Sequence, residues 1–138
     1  MSAEQNKIVA RRYFEEYATG RRAELASELL TDDSVYVDPN LPLAVGPEAM
    51  TRTLAVFQTS VEGHWGIDQV LAAEDDHVVV RWTGTGRHVG EVMGIPPTGN
   101  AVKVAAISVL GFRDGKIASH HIVWDTLAFL RQIGAIPA

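Results

Sequence analysis

The sequence predicts an α+β fold, with helices first and then an antiparallel sheet curved over them into a cone with one open end. Three observations predict it. Before about residue 62 the apolar residues recur at helical spacing, and after it the period changes to two. Proline and glycine punctuate the chain between these runs. Asp114-Gly115 separates two alternating runs and is a strong hairpin signal.

The elements follow in order. Ser2 and Gln5 make a capping box, each side chain satisfying an orphan backbone donor of the first turn. Ile8, Val9, Tyr13, Phe14 and Tyr17 continue at helical spacing to Gly20. A second helix sets Leu25, Leu29 and Leu30 inward and Glu24 and Glu28 outward. Ser34 to Val37 is a short β run, and Asp38-Pro39-Asn40-Leu41-Pro42 is loop, because proline breaks both ladders and helices. Gly46-Pro47 opens a third helix carrying Met50, Leu54 and Phe57, with proline in its favoured first position. Strands are predicted over His64 to Ala73, His77 to His88, Val102 to Arg113 and Lys116 to Trp124. Glu74-Asp75-Asp76 is a turn, Gly94 to Asn100 is a loop, and a last helix, Thr126 to Ile133, is closed by Gly134.

Composition narrows the function. The chain has 138 residues, 46% of them apolar, and a single domain over 1–138 is expected. Twelve Lys and Arg stand against 17 Asp and Glu, a net charge of −5, which argues against nucleic acid as a partner. Cysteine is absent, which removes disulfides, thiolate metal sites and thiol nucleophiles. No apolar run approaches the roughly 20 residues that span a bilayer, so no membrane partner is expected. The first five residues lack the basic start and apolar stretch of a signal peptide, and a cytoplasmic protein is expected.

Alternation singles out the residues that could carry chemistry. Val102, Val104, Ala106, Ser108, Leu110 and Phe112 share one strand face, with Ser108 its one polar member. Ser108 is either a core serine bonded to a backbone carbonyl or a polar anchor for a ligand. In Ser119-His120-His121-Ile122-Val123-Trp124-Asp125, His120, Ile122 and Trp124 share a face opposite to His121 and Val123. One histidine therefore points inward. In an apolar pocket it is expected to titrate near neutrality, which suits acid–base work, or to bond a buried partner. The opposed pair and the absence of HxH or HExxH spacing argue against a metal site. Asp125 precedes a helix and reads as its N-cap, while remaining able to orient a nearby histidine. Asp38 is either the anchor of an Asx turn or a base beside a pocket mouth, with Tyr36 flanking it. Trp65 and Trp82 are core or rim. Arg81 needs an anionic partner if it faces inward and is otherwise solvated. Gly84 and Gly86 fall inside a strand, so they make no phosphate cradle and fit a bend in a curved sheet.

Taken in order, Gly86-Arg87-His88-Val89-Gly90, Gly94-Ile95-Pro96-Pro97-Thr98-Gly99, Asp114-Gly115-Lys116-Ile117, Trp124-Asp125-Thr126-Leu127 and Leu130-Arg131-Gln132-Ile133-Gly134 resemble the SnoaL-like polyketide cyclase family. The closest likeness covers about the last 55 residues, and the helical half agrees in layout. The resemblance implies the α+β cone of nuclear-transport-factor-2-like (cystatin-like) folds. It implies a cofactor-free enzyme closing a ring in a hydrophobic polyketide or polycyclic ketone by aldol condensation.

Carried over residue by residue, the family's pocket histidine falls at His120 and the aspartate before the last helix at Asp125. A second polar position of the family falls at Ser108. Its catalytic acid falls at Ile122, which cannot donate a proton. His120 oriented by Asp125 is then the expected acid–base group, with Asp38 behind it. Expected ligand contacts are Tyr36, Trp65 and Trp82, together with His88, Ser108, Ile122 and Trp124. Besides cyclisation, two readings fit the resemblance: a hydroxylase-like relative whose substrate itself activates dioxygen, and a non-catalytic protein that sequesters an apolar ligand. A homodimer or homotetramer is expected, with Val79, Ile107 and Val109 supplying apolar surface.

Overall fold

In a computed structural model, which describes residues 2–137, a six-stranded mixed sheet wraps around helices from the first half of the chain. Helix α1 (Ala3–Arg12) starts at the predicted capping box, with Ser2 and Gln5 each accepting from the other's backbone N–H. The chain then continues as a π-helix over Tyr13–Thr19, and the Gly20 N–H donates to the Glu15 carbonyl, five residues back. This wider turn brings Tyr13, Phe14, Tyr17 and Ala18 onto one buried face. π-Helical turns are rare and recur at functional sites. Ile8, expected on that face, lies outside, and Asn6 and Ala10 are buried in its stead.

A 3₁₀ turn (Ala23–Leu25) leads into the one-turn helix α2 (Ala26–Leu29). Leu25 and Leu29 point inward as expected, but Leu30 already belongs to strand β1 (Leu30–Val37), four residues longer than the predicted run. Strand β2 (Ala44–Val45) precedes helix α3 (Pro47–Ser60), which has proline in its first turn and Gly46 at φ +90° as its cap. Strands β3 (Val61–Ala73), β4 (His77–His88), β5 (Ala101–Arg113) and β6 (Lys116–Trp124) follow, then helix α4 (Thr126–Gln132). Strand β3 begins three residues before the predicted start, because α3 passes into it without a loop.

The sheet order is β2-β1-β6-β5-β4-β3, antiparallel except for the parallel pair β1–β6. Gly63 pairs with Gly86, and a Cβ on Gly63 would stand 1.8 Å from the Thr85 carbonyl oxygen. Glycine here permits a backbone approach that any side chain would block. Val78, Val80, Trp82, Ala106, Ser108, Leu110, His120 and Ile122 face the helices and are buried. Arg81 lies on the other face, exposed beside Asp68 and Gln69. That outer face also carries Ile107, Val109 and Val123, the last 68% exposed. No described helix is long and apolar enough to cross a membrane.

Candidate active site

The concave face of the sheet and the helices form a cavity that opens to solvent. Its walls are almost wholly apolar and aromatic, including Phe14, Met50, Leu54, Phe57, Trp65, Val104 and Phe129. Such a lining binds a hydrophobic guest, and a few polar groups then set its orientation. The polar groups come from Tyr13, Tyr36, Asp38, Thr53 and His120, with His64 and Thr85 where the lining meets solvent.

Alternation along β6 turns His120 inward and His121 outward. The parallel register sets Tyr36 of β1 beside His120, and the antiparallel register sets Leu110 of β5 on its other side. Ser108, two residues along β5 on the same face, reaches His120 diagonally. Its Oγ lies 2.7 Å from His120 Nε2 and accepts the Trp82 indole N–H at 3.0 Å. His120 Nδ1 lies 2.9 Å from the hydroxyl of Tyr13, across the cone on the π-helix. The rings of Tyr13, Phe14 and Tyr36 stand edge-on around the imidazole.

This enclosure corrects the expected chemistry of His120. The residue is 4% exposed, and burial, with a smaller contribution from His121, pushes its pKa down from 6.5 to about 3. It is therefore neutral at physiological pH, and its nitrogens are engaged by hydroxyls. Asp125 does not orient it. Asp125 is exposed, accepts the Ala128 N–H at 3.0 Å as the N-cap of α4, and is not part of the cavity wall. The cap competes for the carboxylate and holds it at the surface.

Asp38 forms the predicted Asx turn, with Oδ1 accepting the Asn40 backbone N–H at 2.9 Å. It is nevertheless 4% exposed and lines the cavity. Its Oδ2 accepts from Trp124 Nε1 at 2.9 Å and from the Tyr36 hydroxyl at 3.3 Å. Burial and the adjacent Asp38 charge push the Tyr36 phenol well above its usual pKa, so it stays protonated and donating. Among the cavity's lining residues Asp38 is the one carboxylate.

The other expected contacts divide. Trp65, Trp82, Ile122, Trp124 and Tyr36 line the cavity. Ser108 is fully buried behind His120 and is not part of the lining. It bonds side chains, where a backbone carbonyl was one expected partner. His88 also misses the cavity. Its Nδ1 accepts the Thr98 N–H at 3.2 Å and lies 3.0 Å from the Thr98 hydroxyl, which ties down the Gly94 to Asn100 loop. Sequence reasoning read Tyr13 as one apolar position in a helical stripe. Nothing in its spacing distinguishes a phenol that meets a histidine from one that packs, and the buried pairs 13–14 and 17–18 fit an ordinary helical face as well as a widened turn.

Residues 7–133 match the family described as SnoaL-like polyketide cyclase. The chain is 32% identical over 129 residues to the aklanonic acid methyl ester cyclase AcmA of Streptomyces galilaeus, covering 90% of this chain and 87% of that protein. A structure from Jannaschia sp. CCS1, described as a SnoaL-like polyketide cyclase, superposes with a TM-score of 0.87 at 26% identity, over 97% of this chain and 94% of that one. A Catenulispora acidiphila protein with a ketosteroid isomerase-like fold superposes at 0.75 with 21% identity, over 91% and 92% of the two chains, a likeness of fold alone. With its helices packed inside a curved mixed sheet and its motifs in the family's order, this chain belongs to the SnoaL-like polyketide cyclase family.

Proposed function

We propose that the protein closes a ring in a hydrophobic polyketide or polycyclic ketone by cofactor-independent aldol condensation, with Asp38 as the proton-transfer group. One observation carries this reading. Val37 pairs with His121 in the parallel β1–β6 ladder, so the next residues along each chain, Asp38 and Ile122, share one level and line the same cavity. The carboxylate missing from position 122 has a substitute just past the end of the neighbouring strand.

In this mechanism Asp38 removes a proton α to a carbonyl, and the electron pair spreads into an enolate. The enolate carbon forms a bond to a second carbonyl of the same molecule, and the Asp38 carboxylic acid returns the proton to the new alkoxide. One proton leaves and one returns, with no oxidant or reductant. The apolar walls exclude water and hold the two carbons together, a contribution that reaches about 7–11 kcal/mol for well-oriented intramolecular reactions. The Tyr36 and Asn40 side chains donate to Asp38 at 3.3 Å each, longer than the Trp124 contact at 2.9 Å.

Aklanonic acid methyl ester, the substrate in the name of AcmA, is the trial compound. Its α-proton is expected to exchange with D₂O in the presence of the wild-type protein. Asp38→Asn should slow that exchange by about 10²–10⁴-fold, the usual contribution of a positioned general base. Equal rates in the two proteins remove Asp38 from the mechanism. Consumption of dioxygen with the bound compound would replace ring closure with the hydroxylase-like reading.

A further inference from the structure

We infer that Tyr13 is a catalytic hydrogen-bond donor for the substrate's carbonyl oxygen, and that Trp82, Ser108 and His120 are positioning residues that aim its hydroxyl. This rests on the ketone-binding reading above and assigns the oxyanion partner it lacks.

The argument is a count of buried hydrogens. The Trp82 indole nitrogen can only donate, and it donates to Ser108 Oγ. Ser108 is fully buried, and its hydroxyl has one other partner among the described residues, His120 Nε2. A neutral imidazole carries one proton, so two arrangements exist. In the first, Nε2–H donates to Ser108 and Tyr13 donates to Nδ1. The Ser108 hydrogen is then left without an acceptor in the protein interior, which is unfavourable. In the second, Ser108 donates to Nε2 and Nδ1–H donates to the Tyr13 oxygen. Trp82, Ser108 and His120 then each have an acceptor, and the one hydrogen left over belongs to Tyr13, which lines the cavity, where Ser108 does not.

Tyr13 and His120 both line the cavity, and His120 is the one hydrogen-bond partner of the Tyr13 hydroxyl among the described residues. The left-over hydrogen therefore belongs to a side chain of the cavity wall. Burial raises the phenol's pKa well above its usual value, so the hydroxyl keeps its proton. The chain of donors running from Trp82 polarises the Tyr13 O–H toward the cavity, where it meets negative charge developing on an enolate oxygen. The π-helix is the backbone feature that puts Tyr13 there.

Two measurements test this. Long-range ¹H–¹⁵N correlation of histidine-labelled protein, with His120 assigned by its loss in His120→Gln, shows which ring nitrogen carries the proton. Protonated Nδ1 is expected, and protonated Nε2 overturns the chain. The second uses carbonyl-labelled 2-acetylnaphthalene as the probe. Its C=O stretch should fall on binding to wild type and rise again in Tyr13→Phe, with Kd changed by less than about tenfold. Equal stretches in the two proteins overturn the role of Tyr13. If the ketone fails to bind wild type, the ketone-pocket reading falls, and the tautomer alone decides the donor chain.

Discussion

Ser108 and His120 sit on adjacent strands two residues out of register and meet at 2.7 Å, Oγ to Nε2, behind the cavity wall. The serine holds two buried donors or acceptors at once, since it also takes the Trp82 indole N–H. Ser108→Ala therefore orphans two groups. Each buried polar group left without a partner costs about 1–3 kcal/mol. Urea unfolding should show a loss in that range per group at unchanged m-value. A loss below about 0.5 kcal/mol would mean that water replaces the hydroxyl.

The buried imidazole makes stability depend on pH. Its folded pKa of about 3 lies below the usual 6.5, so between these values the unfolded chain binds a proton that the folded chain refuses. Stability from this group is full above pH 6.5 and is lost progressively as pH falls toward 3, with a limiting slope of about 1.4 kcal/mol per pH unit. His120→Gln should flatten the stability–pH curve in that window relative to wild type. Parallel curves would show that His120 is solvated.

Asp125 caps α4 from outside the cavity lining. Asp125→Ala should lower stability by about 0.5–2 kcal/mol, the usual cost of losing an N-cap. The α-proton exchange described above should not change, since the carboxylate is outside the cavity. A fall in exchange rate with an unaltered melting temperature would restore Asp125 to the chemistry.

Ile122→Asp places a carboxyl at the family's acid position, in an apolar wall that leaves Ile122 buried. Burial favours the neutral acid, so its folded pKa is raised. The penalty is smallest below the unfolded value near 4 and grows as pH rises through it. The stability gap to wild type should therefore widen between pH 4 and pH 7, while α-proton exchange increases because a second acid–base group reaches the guest. A gap that is the same at both pH values would place residue 122 in water.

What the sequence by itself determined is local and periodic. The capping box at Ser2 and Gln5, the proline that starts α3, the Asp114-Gly115 hairpin and the cap at Asp125 each depend on neighbours within a few residues. Alternation gave the buried faces of β5 and β6, and with them the inward turn of Ser108, His120 and Ile122. Tertiary structure alone decided what those side chains meet. Tyr13 and His120 are 107 residues apart, and Trp124 and Asp38 are 86 apart. Side-chain spacing specifies a face, whereas a partner depends on how two faces pack. For the same reason a histidine expected to titrate near neutrality is held neutral, and a loop aspartate is folded into a cavity wall.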